Sequence, residues 1–216
     1  MSFLYLTSNC NIILFKDIQE VICIRALEDK ILSEGLVLPG EILKVGSFLN
    51  QQIDTTLLMD MGSEIARLYK DSGITKVLTI ESSGIAVAFA AGFKLGVPVV
   101  FAKKHASINL SDDVITSEVY SYTHQKTYTV VIGSEYLGPD DTVLIVDDFL
   151  AKGNAIKGLI EITNKAGAKL AGAAIAIEKG FQGGGDALRA QGIRVESLAI
   201  VDSMSDDSLT FRRQDQ

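Results

Sequence analysis

The stretch VLIVDDFLAKGNA, Val143 to Ala155, sets two adjacent carboxylates between an apolar run and a turn of small residues. Val143 to Val146 are all apolar and three of the four are β-branched, which suits a strand buried on both faces in a parallel sheet. Neighbouring carboxylates repel in a core, so Asp147 and Asp148 are expected to end that strand at its carboxyl edge, where open α/β sheets bind ligands. There they would accept hydrogen bonds from sugar hydroxyls or sit beside a hydrated cation. Ala151, Gly153 and Ala155 leave room for backbone N–H groups to approach an anion, and the helical spacing from Asn154 onward aims a positive helix end at the same place. A phosphate fits that turn. A strand that merely ends at an acidic turn is the plain alternative.

The elements that must position these residues alternate as a βαβ series would, without internal repeat, low-complexity stretch or linker. Residues 26–35 and 55–73 read as helices, each stopped by glycine. Strands are expected over 76–80, 97–102, 142–146 and 172–177, with 195–200 following, and crossover helices over 85–96 and 155–167. The result is an α/β fold with a mostly parallel central sheet, right-handed connections and its loops at one rim. Residues 117–137, rich in threonine and tyrosine, have the alternation of a hairpin.

With 216 residues and 47% hydrophobic content, the chain can bury one sizeable core. A net charge of −7 argues against a general nucleic-acid surface but allows a local cationic pocket, which Lys103 and Lys104 could line. Cys10 and Cys23, the two cysteines, permit neither a disulfide framework nor a four-cysteine zinc site, and a reducing cytoplasm is the simplest setting. Residues 1–23 are apolar but lack a basic leader and a small-residue cleavage pattern, and Thr7-Ser8-Asn9 breaks a run already too short to span a bilayer. They read as an added or mis-assigned start, or else as an extra strand or helix on the body; residues 24–216 are expected to form one domain.

The apolar run, the Asp-Asp pair and the small-residue loop together resemble the diphosphosugar signature of the type I phosphoribosyltransferases, which use 5-phosphoribosyl 1-pyrophosphate (PRPP). Among the purine-salvage members, the chain is similar to the bacterial xanthine-using branch from about Ala26 to about Ser203. The segment Leu43 to Asp54 resembles that branch's base-binding amino-terminal segment, and Thr79 to Ala88 its pyrophosphate loop. Val97 to His105 resembles the basic strand end, and Ala176 to Gly184 the purine-side loop. The hairpin falls where the family carries a hood; Tyr120 and Tyr122 in it are given no role, nor is His105.

The resemblance implies a pentosyltransferase that joins xanthine to the phosphoribosyl group and releases pyrophosphate. It places the 5-phosphate on Ala151, Lys152, Gly153, Asn154 and Ala155, and the ribose hydroxyls on Asp147 and Asp148. Ala155 stands where many members have a threonine, and Lys152 where threonine or asparagine is frequent, so one hydrogen bond is lost and one cation gained. Glu81, Ser82, Ser83 and Gly84 would receive the pyrophosphate, although a serine there also suits a helix cap. Leu43, Asn50 and Lys179 would hold the base; a lysine donor and an amide suit the two oxygens of xanthine better than they suit adenine. Alone, these three would read as core, capping amide and surface charge, and Phe181 as packing or as a purine stack.

Magnesium would travel with PRPP rather than in a dedicated protein cage. A homodimer is implied by the family, with xanthine and PRPP as small-molecule partners and neither nucleic acid nor membrane. Specificity for hypoxanthine and guanine, or for adenine, is the nearer alternative. A non-catalytic PRPP-sensing regulator of the same fold is the more distant one, since no basic recognition helix precedes the first strand.

Overall fold

The computed structural model describes residues 25–104, 113–121, 126–205 and 208–213. The amino-terminal segment 1–23, His105 and Tyr122 lie outside these residues. Helix α1 covers residues 25–34 and stops where Gly35 donates its N–H to the Ile31 carbonyl. A short antiparallel ribbon follows, β1 (Leu36–Leu38) and β2 (Ile42–Lys44), and then a tight helical turn, Gly46–Asn50.

Next come α2 (Thr55–Leu68), β3 (Lys76–Ile80), α3 (Gly84–Leu95) and β4 (Val99–Ala102). The hairpin is β5 (Val114–Ser121) with β6 (Lys126–Gly133), followed by β7 (Thr142–Leu150), α4 (Asn154–Lys165), β8 (Lys169–Lys179), α5 (Gly184–Arg189), β9 (Val195–Ser205) and β10 (Ser208–Phe211). The central sheet has the order β10-β9-β8-β7-β3-β4, parallel except for β10, which returns antiparallel on β9.

Alternation along the sheet builds a core on each face. Val77, Leu144, Val146, Ala174 and Ala176 pack with α1, α2 and α3 on one side. Leu78, Ile80, Val143, Ile145 and Ile175 pack with α4 and the hairpin on the other. The long strand β8 presents pairing partners from one end of β7 to the other, and that decides where β7 stops.

Three of the differences from the expected boundaries have direct structural causes. Asp147 and Asp148 do not end their strand: Asp147 pairs with Ile175, and the ladder continues through Phe149 and Leu150 against Ile177 and Glu178. The second helix ends at Leu68 rather than Gly73, because Tyr69 turns into the core and its hydroxyl donates to the Ala173 carbonyl at 2.9 Å. The edge strand begins at Val99, since the Val97 amide is spent closing α3 on the Gly92 carbonyl.

Candidate active site

The turn from Ala151 to Gly153 links β7 to α4. Gly153 adopts φ +82°, a left-handed conformation that glycine enters without steric cost, and no side chain caps the helix that follows. The leading amides of α4 are thus open to an anion. The back of the turn is set by Gly184, whose N–H donates to the Ala151 carbonyl at 3.1 Å; a Cβ there would strike that carbonyl and the Lys152–Gly153 peptide. Asn154 donates its amide to the Tyr120 carbonyl at 2.9 Å and so ties the turn to the hairpin. Lys152 reaches the Gln182 carbonyl at 3.3 Å. The turn faces a cleft of about 480 Å³, closed on one side by Val119, Tyr120 and Tyr128, and on the other by Glu41, Phe149 and Lys179.

On β7 just before the turn, Asp147 and Asp148 are 5% and 9% exposed, so both are buried, not merely set at a rim, and neither lines this cleft itself. The Asp148 amide donates to Asp147 Oδ1 at 3.0 Å. Burial first, and the Asp148 carboxylate second, push the Asp147 carboxyl well above the usual range, while Lys104 pulls the other way. A carboxyl held in this way favours its protonated form in the free protein.

The loop Glu81–Gly84 follows β3 and opens α3, and its Glu81–Ser82 peptide is cis. The Glu81 carboxylate accepts from the Lys104 amide at 2.6 Å, so it braces the neighbouring strand end. Ser83 occupies the capping position of α3 without a side-chain capping bond, which leaves its hydroxyl to other uses. The two lysines separate. The Lys103 backbone pairs with Val131 of the hairpin, whereas the Lys104 ammonium lies 5.7 Å from the Tyr128 ring centroid, on the Asp147 side.

The three base-side candidates do not share one cavity. Lys179 lines the cleft with the phosphate turn, donates to the Glu41 carbonyl at 2.7 Å and lies 5.8 Å from the Phe149 ring centroid; burial lowers its pKa. Leu43 and Asn50 line a neighbouring cavity of about 410 Å³. The β1–β2 ribbon divides the two spaces, because successive strand residues face opposite ways: Ile42 looks into the first cleft while Leu43 is buried in the core beside α1. Phe181 packs against the core beneath α1 to α3.

Several participants were not singled out from sequence. Glu178, fully buried beside Lys179, receives Arg189 at 2.7 and 3.0 Å and the Ser197 hydroxyl at 2.5 Å. A lone acid ending the apolar run GAAIAIE was its visible signal. Glu41 has a left-handed backbone, φ 62°, and its carboxylate accepts from the Gln182 side chain at 2.8 Å. Nothing in a three-residue strand signature points to it. Among the described residues no three carboxylate, histidine or cysteine side chains converge to hold a cation, and no helix is long and apolar enough to cross a membrane.

Comparison with known proteins gives concordant matches. Residues 48–188 match the family model of the phosphoribosyl transferase domain. The chain is 51% identical over 191 residues to a xanthine phosphoribosyltransferase of Lactiplantibacillus plantarum, covering 88% of this chain and 98% of that protein. It is 53% identical over 187 residues to one of Pseudomonas syringae, covering 87% and 99%. Among solved structures it resembles an adenine phosphoribosyltransferase of Rhodothermus marinus (TM-score 0.69, 21% identity, 84% of this chain and 99% of that one). It also resembles APRTase from Giardia lamblia complexed with 9-deazaadenine (TM-score 0.67, 27% identity, 81% and 96%).

Proposed function

Because the chain belongs to the phosphoribosyl transferase family, we propose that it is a xanthine phosphoribosyltransferase, acting in purine salvage. Half-identity to named xanthine enzymes over nearly their whole length carries this reading. In the reaction a purine ring nitrogen forms a bond to the anomeric carbon of PRPP. The bond from that carbon to the pyrophosphate oxygen breaks, pyrophosphate leaves with the electron pair, and the base gives up its ring proton.

The chain supplies positioning and charge rather than a nucleophile. Ala151 to Ala155 would take the 5-phosphate on backbone donors. Asp147 and Asp148 would accept from the ribose hydroxyls and favour the positive charge that grows on the ring as pyrophosphate departs. Ser82, Ser83 and the opening amides of α3 at Gly84 would hold the leaving group, with Glu81 bracing the loop and Lys104 adding charge.

Lys179 would donate to a purine oxygen, an arrangement adenine cannot match because it carries an amino group where xanthine has oxygen. Leu43 and Asn50 belong to this role only if the β1–β2 ribbon withdraws from between the two cavities. Magnesium, carried by the donor's phosphates, supplies charge neutralisation of the leaving group when bound. Asp147 and Asp148 offer the hard oxygens such a cation prefers and would hold it through its waters.

We extend the proposal to one catalytic domain over residues 24–216, a cytoplasmic setting and a homodimer. Aromatic residues left open on α3 and on the edge strand support the last: Phe89, Phe93 and Phe101 are 58%, 67% and 44% exposed. Light scattering of the eluted protein tests it, a monomer mass being the contrary result.

The direct test is pyrophosphate release from PRPP and magnesium with xanthine, guanine, hypoxanthine and adenine offered separately. Fastest turnover with xanthine is expected. Donor binding without release for any base would replace the enzyme by a PRPP-responsive regulator.

A further inference from the structure

Thr79 is the one described residue with a fully buried side-chain oxygen that meets no hydrogen-bond partner. It sits on β3, two positions before the pyrophosphate loop, and is 0% exposed. An orphaned hydroxyl forfeits its hydration without compensation, and natural proteins keep few of them. A shape-matched valine at this position would avoid that loss, so the hydroxyl needs a reason.

Its surroundings supply one. Gly84, the first residue of α3, presses its Cα on both the Thr79 hydroxyl and the Asp147 carboxylate: a Cβ there would collide with Thr79 Oγ1 and lie 2.5 Å from Asp147 Oδ1. The carboxylate is the nearby acceptor. The element both of them touch is the helix start that follows the Glu81–Ser83 loop.

We infer that Thr79 is a positioning residue, whose buried hydroxyl engages the Asp147 carboxylate when the phosphoribosyl donor occupies the site and so locks the pyrophosphate loop in register with the aspartate pair. This rests on the proposed reading of the site as a PRPP site. In the free protein the hydroxyl and the carboxylate abut Gly84 from one side without bonding each other. A donor that draws Asp147 toward the ribose and the Glu81–Gly84 loop toward pyrophosphate moves both ends of that contact. Thr79 thereby couples the two halves of the donor site through one hydrogen bond that neither half makes alone. Substrate is touched by Asp147 and by the loop, not by Thr79.

The experiment compares Thr79→Val and Thr79→Ser with the unaltered protein. Three quantities are read: the dissociation constant for PRPP with magnesium by calorimetry, kcat and KM for donor and xanthine separately, and Tm. Thr79→Val is expected to match or exceed the parent in Tm, to weaken PRPP binding about tenfold and to leave the KM for xanthine within about twofold. Thr79→Ser, which keeps the hydroxyl, should restore donor binding.

Unchanged PRPP binding in Thr79→Val overturns the inference. So does a variant that loses Tm together with equal affinity for donor and base, since that is plain loss of packing. If the unaltered protein itself binds no PRPP, the reading of the whole site fails, an outcome separate from equal binding by parent and variant.

Discussion

Arg189 meets Glu178 through two nitrogens, at 2.7 and 3.0 Å, in a pocket where the carboxylate has no exposure to solvent. The Ser197 hydroxyl at 2.5 Å completes the shell of acceptor bonds. The pair locks the end of β8 to α5 and β9, and Lys179 is the next residue. Breaking a buried pair by removing one partner costs about 3–5 kcal/mol, because the other charge stays behind. Arg189→Ala, which strands the fully buried Glu178 carboxylate, should therefore lower the denaturation free energy by about that much in a urea titration. A loss under about 1 kcal/mol would mean that water reaches the pair.

The buried carboxylates give a pH dependence whose sign follows from Asp147. Its carboxyl is pushed up, first by burial and then by Asp148. A group whose pKa is raised on folding contributes its full stability below its unfolded value and loses it as the pH climbs through the folded one. The ligand-free protein is thus expected to lose stability from the ordinary carboxylate range upward through the raised value. Asp147→Asn, uncharged throughout, should flatten this limb and equal or exceed the parent in Tm at neutral pH. Asp148→Asn should keep the fold and cut kcat by about a hundredfold or more, a loss typical of removing one charge-stabilising group. Parallel Tm curves for parent and Asp147→Asn would dismiss the buried-acid account, and an unimpaired Asp148→Asn rate would remove that carboxylate from the mechanism.

The phosphate turn depends on a residue more than thirty positions away. Gly184 leaves no room for a side chain: the Ala151 carbonyl, the Lys152 carbonyl carbon at 2.7 Å and the Gly153 nitrogen at 2.8 Å surround the place a Cβ would take. These are backbone atoms that cannot rotate aside. Gly184→Ala should destabilise the fold by about 1–3 kcal/mol through overpacking, and should raise the KM for PRPP about tenfold by displacing the turn. A Gly184→Ala protein with wild-type donor KM would show the turn to be set from β7 and α4 alone.

How much of this was legible in the sequence depends on the range of the interaction concerned. The β-branched run at Val143 to Val146 and the small residues after it act locally, and β7, the turn and α4 appear as expected. The strand's true end at Leu150 was not legible, because it is decided by pairing with Ile177 and Glu178 more than two dozen residues away. Tyr69 ends α2 for the same kind of reason, with its hydroxyl partner at Ala173.

In the candidate site, Asp147 and Asp148 stood out in the sequence as an acidic pair after an apolar run, whereas Lys179 came from the family resemblance alone. Glu41 was visible in neither way, since its role comes from a ribbon folded over the cleft. Leu43 and Lys179 stand in separate cavities because strand alternation sends Ile42 and Leu43 in opposite directions, which motif spacing does not reveal.

Lys179 offers the sharpest test of base selection. Its ammonium is held at 2.7 Å by the Glu41 carbonyl, so a purine oxygen that takes this donor must displace a backbone acceptor, and the net gain is the difference between the two bonds. Hydrogen bonds to charged groups contribute about 1.5–3 kcal/mol, which corresponds to roughly tenfold to a hundredfold in affinity. Because only that difference is lost, Lys179→Ala is expected to raise the KM for xanthine by about fivefold, below the factor for a full bond, and to leave that for PRPP within about twofold. It should also narrow the preference for xanthine over adenine, since adenine's amino group gains nothing from an ammonium donor. Steady-state kinetics with each substrate varied in turn decides the matter. Equal losses for base and donor would move Lys179 out of the base site and assign it to the phosphate side of the cleft.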